Sequence, residues 1–257
     1  AYGTRMTDDY AMVRVKLPAG EVYPHQLERL ATLSEQYSIG SAHVSTRQNL
    51  QLHWVILEDV SEIMRSLAEV GLTSREACGN AVRNVMCSPL AGVCKDEEFD
   101  VTPYAIATAK FFLRNPLNQS LPRKFKFNFT CCEKHGMARM VDVGLIPKIK
   151  VINGKEQRGF KVFLGGGLGN KSFVGHQLED WTPEEDLLCT SIATIRIFDR
   201  LGDRKHMERN RMRYLVDQMG WEQFQTLILK ERTIVKMTQS AIVKLAVDQT
   251  PQKLDSH

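Results

Sequence analysis

Residues 121–130, LPRKFKFNFT, constrain the fold more than any other stretch of the chain. A β-strand sends successive side chains to opposite faces, so Phe125, Phe127 and Phe129 share one face while Lys124 and Lys126 share the other. An aromatic face demands a core. Two lysines side by side demand water or an anion, and the solvated face is the commoner fate of lysine. The company these lysines keep favours the anion. A second polar, basic segment, TRQNLQLH at residues 46–53, and a third, GNAVRN at residues 79–84, lie upstream, and the glycine run GGGLG follows at residues 165–169. The predicted strand spans residues 121–130.

The charge is unevenly laid out. Formal net charge is only +4, yet residues 121–161 hold ten Lys/Arg against three Asp/Glu. Such a segment calls for anionic partners or an acidic neighbour. No nucleic-acid-binding motif accompanies it, so nucleic acid is not the expected partner. At 257 residues, with 43% hydrophobic and 25% charged residues, the chain can bury a sizeable core and is neither disordered nor membrane-like in composition. No apolar run is long enough to span a bilayer, and the first residues, AYGTR, carry no apolar signal region. Six cysteines in a chain of this length suggest thiols in a reducing compartment, and a cytoplasmic location is expected.

Periodicity predicts strand, helix, strand, helix in the first part: a strand over 12–17 with Val13, Val15 and Leu17 on one face, a helix over 25–38, one strand over 43–57, and a helix over 58–70. That order suggests a small α+β unit with its helices on one sheet face. Residues 79–93 read as loop. A helix over 103–113 and strands over 121–130, 139–145, 149–151 and 159–164 follow, with Asn153-Gly154 as a hairpin turn. Thr182, Pro183 and Glu185 read as the cap, first-turn proline and capping-box glutamate of a helix. Further helices are predicted over 204–219 and 221–236. Arg196, Arg200, Arg204, Arg209, Arg211 and Arg213 alternate there with Asp199, Asp203 and Glu208, the pattern of a solvated or interface face that supports the pocket without doing chemistry.

Arg47 lies among Gln48, Asn49, Gln51 and His53, a set too polar for a simple amphipathic strand, and Arg83 sits between Asn80 and Asn84 in a loop of small residues. With Arg123, Lys124 and Lys126 they would form a basic pocket able to take carboxylates and a small oxyanion. The glycine run fits a tight turn as well as a close backbone approach to a ligand, and it lacks the spacing of a dinucleotide fingerprint.

The ordered set VRVKLPAG, TRQNLQLHW, GNAVRNVMCSPLAG, LPRKFKFNF, GFKVFLGGGLG and RLGDRKHMERNRMRYLVDQMG resembles the N-terminal half of siroheme-dependent sulfite and nitrite reductases, in register from Met12 to Gln239. The resemblance implies an α+β protein: a ferredoxin-like half domain over residues 1–75, a larger mixed-sheet siroheme-binding domain over 76–245, and a polar tail over 246–257. It implies that Arg47, Arg83, Lys124 and Lys126 surround the substrate anion. Arg123, Gln48, Gln51, His53, Asn84, Gly165, Gly166 and Gly167 would hold siroheme. The strand after L-P-R reads K-x-K in sulfite-type members and K-x-N in many nitrite-type ones, and Lys124-Phe125-Lys126 implies sulfite, with nitrite as the alternative.

The family's iron–sulfur cluster is held by a C-x5-C pair and a later C-x3-C pair, and neither spacing occurs here. The 4Fe-4S cluster is therefore expected on a homologous second half, in the same or another chain, with ferredoxin or a flavoprotein as electron donor. The isolated chain is expected to be inactive. A heme-free assembly domain of this fold is the alternative from another class, and a heme-free monooxygenase of corrin synthesis a more distant one. No metal ligand is assigned within the chain. Cys87 and Cys94 with Cys131 and His135 fall where internal pseudo-symmetry would put cluster ligands, but buried structural cysteine is the stronger reading, as for Cys78 and Cys189.

Overall fold

A computed structural model describes residues 2–4, 7–134, 137–169 and 171–239. His135 and the expected tail at 246–257 lie outside the described residues.

The first unit is a four-stranded antiparallel sheet in the order β1-β2-β4-β3. Its strands are β1 (Tyr2–Thr4), β2 (Thr7–Lys16), β3 (His43–Val44) and β4 (Asn49–Ile56), with helices α1 (Pro24–Tyr37) and α2 (Val60–Glu69). Strand alternation puts Val13 and Val15 of β2, and Leu50 and Leu52 of β4, against Leu30 and Leu33 of α1 and Ile63 and Leu67 of α2, all of them buried. The single strand predicted over 43–57 is two strands. Ser45 N–H donates to the Asn49 carbonyl at 2.8 Å and Gln48 N–H to the Ser45 carbonyl at 3.1 Å, closing a tight turn that carries Arg47 at its tip.

The second unit is a mixed six-stranded sheet, order β10-β8-β7-β6-β5, with β9 also paired to β8. Its strands are β5 (Met86–Cys87), β6 (Phe127–Phe129), β7 (Val143–Ile152), β8 (Lys155–Leu164), β9 (His176–Gln177) and β10 (Thr182–Pro183). Helices α3 (Thr102–Phe112), α4 (Leu187–Leu201), α5 (Met212–Met219) and α6 (Trp221–Gln239) complete it. β5, β6 and β7 run parallel, and the long β7–β8 hairpin turns at Asn153-Gly154. The protein is α+β.

The strand predicted over 121–130 is regular only at Phe127–Phe129. Pro122 has no N–H to give a ladder. Upstream of β6 the chain makes a single parallel bridge, Val82 with Phe125, closed by Phe125 N–H to Ala81 O at 3.0 Å and Arg83 N–H to Phe125 O at 2.8 Å. The alternation survives this irregularity. Phe125, Phe127 and Phe129 are fully buried, whereas Lys124 and Lys126 are half-buried. Phe127 stacks on Phe112 of α3 with ring centroids 5.4 Å apart. Phe125 meets Phe198 of α4 at 5.7 Å, and Phe129 meets Phe160 of β8 edge-on at 6.0 Å. Three alternate side chains thus gather two helices and a strand, each aromatic contact adding about 0.5–1.5 kcal/mol beyond area burial.

Two helix starts differ from the sequence reading. Thr182-Pro183 is an edge strand rather than a cap, because Thr182 pairs with Phe160 across β8, and the helix begins at Leu187. Residues 202–211 are not helical. α5 begins at Met212, and neither Arg211 nor Arg213 is on a solvated face: both are buried. Arg196 and Arg200 of α4 instead pair with Glu231 of α6, which ties those two helices together.

A short 3-10 turn, Ala138–Met140, lies across the sheet, and two glycines make room for it. A Cβ on Gly144 would sit 1.8 Å from the Ala138 carbonyl oxygen, and one on Gly166 2.2 Å from the Arg139 carbonyl oxygen. Gly144→Ala is expected to destabilise the protein by about 3 kcal/mol, since backbone on both sides must move. Denaturant unfolding checks this; a loss under about 1 kcal/mol would mean the turn lifts off easily.

Candidate anion site between the two sheets

The two units meet where the loop after β2 and the β3–β4 turn enter the larger one. Ala19 N–H donates to the Val85 carbonyl at 3.0 Å. Asn84, 1% exposed, donates its side-chain amide to the carbonyls of Leu17 at 2.7 Å, Arg47 at 3.1 Å and Gln48 at 3.1 Å. The Gln48 side chain completes the junction: its Nε2 donates to the Cys87 carbonyl at 2.7 Å and its Oε1 accepts from Cys87 N–H at 3.1 Å. Asn84 and Gln48, both expected to hold a cofactor, have these amides engaged with the chain itself.

This junction fixes Arg47. Its Nη2 donates to the Asn84 carbonyl at 2.7 Å and the Phe127 carbonyl at 3.2 Å, which places its charge beside β6. Burial first, then Arg211 and Arg83, draw its pKa down to about 10, with Asp142 acting the other way. Arg83 is held by the carbonyls of Ala77 at 2.9 Å and Gly79 at 3.0 Å. Lys126 is pushed down to about 8 by burial first, then by Arg211, Arg47 and Lys124, with Asp142 opposing. Lys124 is lowered too, by burial and then by Arg211, Arg83 and Arg123. The structure therefore brings Arg47, Arg83, Arg123, Lys124 and Lys126 into one mutually repelling group.

Other members were missed. Arg211 donates from Nη2 to Asp142 Oδ2 at 2.8 Å, and Asp142 is 1% exposed. This buried pair sits against the lysines and was hidden because residues 204–219 read as a surface helix. Lys16 is buried beside Glu76 at 3.8 Å, and burial first, with Arg83 adding to it, brings its pKa down to about 8. The signal for Lys16 and Arg14 was present: V-R-V-K alternates, so the face opposite Val13 and Val15 is basic.

Gln51 is buried on β4, opposite Arg14 and His43. His53 instead packs edge-on against His43 with centroids 6.1 Å apart, towards the β3 edge. The glycine run turns inward: Gly165 N–H donates to Asp142 O and Gly167 N–H to Phe173 O, both at 3.0 Å. A Cβ on Gly167 would sit 2.7 Å from Arg213 Nη1, so these glycines chiefly admit Arg139 and Arg213.

Three cysteines form a separate group. Cys94, Cys131 and Cys132 have their sulfurs within 4.8 Å of one another. Cys87, which pseudo-symmetry would group with Cys94 and Cys131, has its thiol 3.8 Å from Thr102 Oγ1 and is not a member; Cys132 is.

Buried guanidinium donors at Arg47 Nε, Arg211 Nε and Arg213 Nε have no hydrogen-bond partner among the described residues. At Arg47 and Arg211, orphaned cationic donors beside Lys126 suit a carboxylate-rich ligand or an oxyanion.

The sequence comparisons agree with that chemistry. The model for the nitrite and sulphite reductase 4Fe-4S domain matches residues 78–236, and that for the nitrite/sulfite reductase ferredoxin-like half domain matches residues 2–70. The chain belongs to this family. It is 31% identical over 244 residues to sulfite reductase [ferredoxin] 1 of Mycolicibacterium paratuberculosis, covering 93% of this chain and 43% of that protein. It is 33% identical over 228 residues to a chloroplastic ferredoxin–nitrite reductase of Arabidopsis thaliana, covering 85% of this chain and 38% of the relative. The structure of Mycobacterium tuberculosis NirA superposes with a TM-score of 0.80 at 29% identity, covering 88% of this chain and 40% of NirA. A dissimilatory sulfite reductase, at 13% identity and a TM-score of 0.68, shares the fold. The chain thus spans about two fifths of the length of its curated relatives. Among the described residues no helix is long and apolar enough to cross a membrane.

Lys126 gives a pH prediction with a definite sign. Its folded pKa lies below the ordinary 10.5, so between about 8 and 10.5 the unfolded chain binds more protons and stability rises with pH. The penalty is fully present below pH 8. Lys126→Met should therefore stabilise the protein at pH 7 by on the order of 1–2 kcal/mol after solvent screening. The advantage should fade as the wild type sheds its proton above pH 8. Denaturant unfolding at pH 7 and pH 10 checks this, and a variant less stable at pH 7 would show that the lysine is paired rather than crowded.

Proposed function

We propose that this chain supplies the anion-binding side of a siroheme-dependent sulfite reductase, with nitrite reduction as the alternative. The observation that carries this is the convergence of Arg47, Arg83, Lys124, Lys126 and Arg211 on one patch where Asp142 is the opposing carboxylate. The family model's description supports iron–sulfur chemistry, and the resemblance of the ordered motifs supports siroheme. Siroheme, when bound, would pass electrons to the substrate. Arg123, Arg213 and the unpartnered Nε donors of Arg47 and Arg211 would receive its carboxylates. Ferredoxin is the electron donor suggested by the names of the relatives.

The side chains do the rest. Arg47 and Arg83 are braced by backbone carbonyls and cannot lose their protons at neutral pH, so they hold the oxyanion by fixed charge. Lys126, brought to about 8, is mostly protonated at pH 7 yet gives up a proton readily, as a group must that delivers protons while an S–O or N–O bond breaks. The anion itself draws the lysine pKa back up, so binding loads the donor.

The choice of sulfite rests on the second lysine. Sulfite loses its second proton near neutral pH and so can carry two negative charges there, whereas nitrite carries one. One ammonium about 4 Å from an extra negative charge contributes roughly 4 kcal/mol at an effective dielectric of 20, before solvation takes part of it back. Lys126→Asn in the full-length protein is expected to lower kcat/KM for sulfite by at least about tenfold, equivalent to 1.4 kcal/mol, while changing the nitrite value far less. An equal loss for both anions would assign Lys126 to the cofactor. Titrating the purified chain with sulfite while following the lysine Nζ signals gives a readout independent of turnover. An upward pKa shift at Lys126 is expected there, and its absence would remove the anion site.

A further inference from the structure

The clustered thiols lie at the opposite end of the same strands from the lysines. β5 and β6 are parallel neighbours, with Cys87 opposite Phe129, so the chain leaves both strands at the same end. Residues 88–97 and 130–134 therefore run side by side. They are clipped together by Ser88 N–H to Phe129 O at 2.8 Å and by a Lys134–Asp96 ion pair at 3.0 Å. Lys126 enters these strands and Cys131 leaves them, five residues or roughly 16 Å away at about 3.3 Å per residue. The carboxyl edge of parallel strands is a common place for ligands.

Burial by itself would make these cysteines small hydrophobes. Their surroundings say otherwise. The main apolar cluster takes in Cys87 and Cys189 but neither Cys131 nor Cys132, although those are only 0% and 6% exposed. Their sulfurs turn to one another and to polar groups: Ser88 Oγ lies 3.3 Å from Cys131 Sγ, and Cys94 Sγ lies 3.9 Å from Cys132 Sγ. Two sulfurs on one metal at 2.3 Å are about 3.8 Å apart at tetrahedral angles and about 4.0 Å at trigonal ones. A disulfide would need them near 2.05 Å. The Cys94–Cys132 distance falls in the range for a shared ion, and all three sulfurs lie within 4.8 Å of one another.

We infer that Cys94, Cys131 and Cys132 form a binding site for one thiophilic divalent cation of the Zn2+ type. Three thiolates provide the ligands, and half-exposed Cys94 leaves a fourth position open to water. Soft sulfur donors select such ions over Mg2+ or Ca2+. Three cysteines fall short of the four that iron–sulfur clusters ordinarily use, so a single ion is the better fit. The ion would clamp the two loops at the end of β5 and β6, a structural task independent of the anion site.

The test is Cd2+ and Zn2+ titration of the purified, reduced full chain, followed by the ultraviolet thiolate-to-cadmium charge-transfer band and by direct metal analysis. One ion per chain is expected. Cys94→Ser, Cys131→Ser and Cys132→Ser should each weaken binding by roughly 100-fold or more, whereas Cys87→Ser and Cys189→Ser should not. Circular dichroism identifies any variant that fails to fold. For such a case, alkylation of the wild-type thiols is the second measurement: Zn2+ should protect half-exposed Cys94 and leave Cys78 reactive. Binding that survives loss of Cys94 and Cys132, stoichiometric iron with acid-labile sulfide, or no protection by Zn2+ would each overturn the assignment. Sulfite affinity is read separately, so loss of the anion site and loss of the thiol site give different results.

Discussion

Asn84 carries the geometry of the whole site on one buried amide. Its two N–H groups satisfy the carbonyls of Leu17, Arg47 and Gln48, each of which belongs to the small sheet's loops, while its own backbone sits just before β5 of the larger sheet. A buried amide with a partner removed costs about 1–3 kcal/mol, so the two units are latched by hydrogen bonds whose loss neither can recover from water. Gln48 repeats the device one step along, pairing with Cys87 as an extra strand would. Arg47 is the residue between them in function: its guanidinium reaches β6 because its main chain is pinned at Asn84. The small sheet thus acts as the arm that delivers Arg47, with Lys16 behind it, to a group otherwise built by the large one.

That group is electrostatically incomplete. Asp142 and Arg211 neutralise each other deep in the wall, and what remains is cationic. Proteins seldom leave such repulsion uncompensated without use, and lysines with lowered pKa values in a cleft are a recognised mark of functional sites. Here the physical cause is plain: partial burial removes water's screening at the same place where strand alternation lines up charges of one sign.

Much of this was legible in the chain. The K-F-K-F-N-F alternation correctly separated a buried aromatic face from a basic one, and the Asn153-Gly154 turn falls where its dipeptide puts it. The rest depended on tertiary structure. The strand carrying Lys124 shortened because Pro122 lacks a donor and Phe125 found a lone bridge partner in Val82. Thr182-Pro183 had the chemistry of a helix cap but joined the open edge of β8. Arg211 read as surface charge because its partner, Asp142, lies 69 residues away in sequence. Internal symmetry grouped Cys87, Cys94, Cys131 and His135, with buried structural cysteine as the stronger reading. The structure exchanges Cys87 for Cys132, since Cys87 is still inside its strand and only residues beyond the strand ends can meet.

The lowered pKa of Lys126 has a consequence for the protein's chemical durability. An amine near 8 presents an appreciable fraction of free base at neutral pH, and free base is the nucleophile. Most lysines on the surface are shielded from electrophiles by their own protons. Lys126, half-buried but reachable, is not, so acylating agents, cyanate and sugar aldehydes would attack it ahead of its neighbours. An anion resting on it restores the proton and closes that route. Occupancy of the site is therefore also a form of protection, and a protein stored without an anion would age first at this residue.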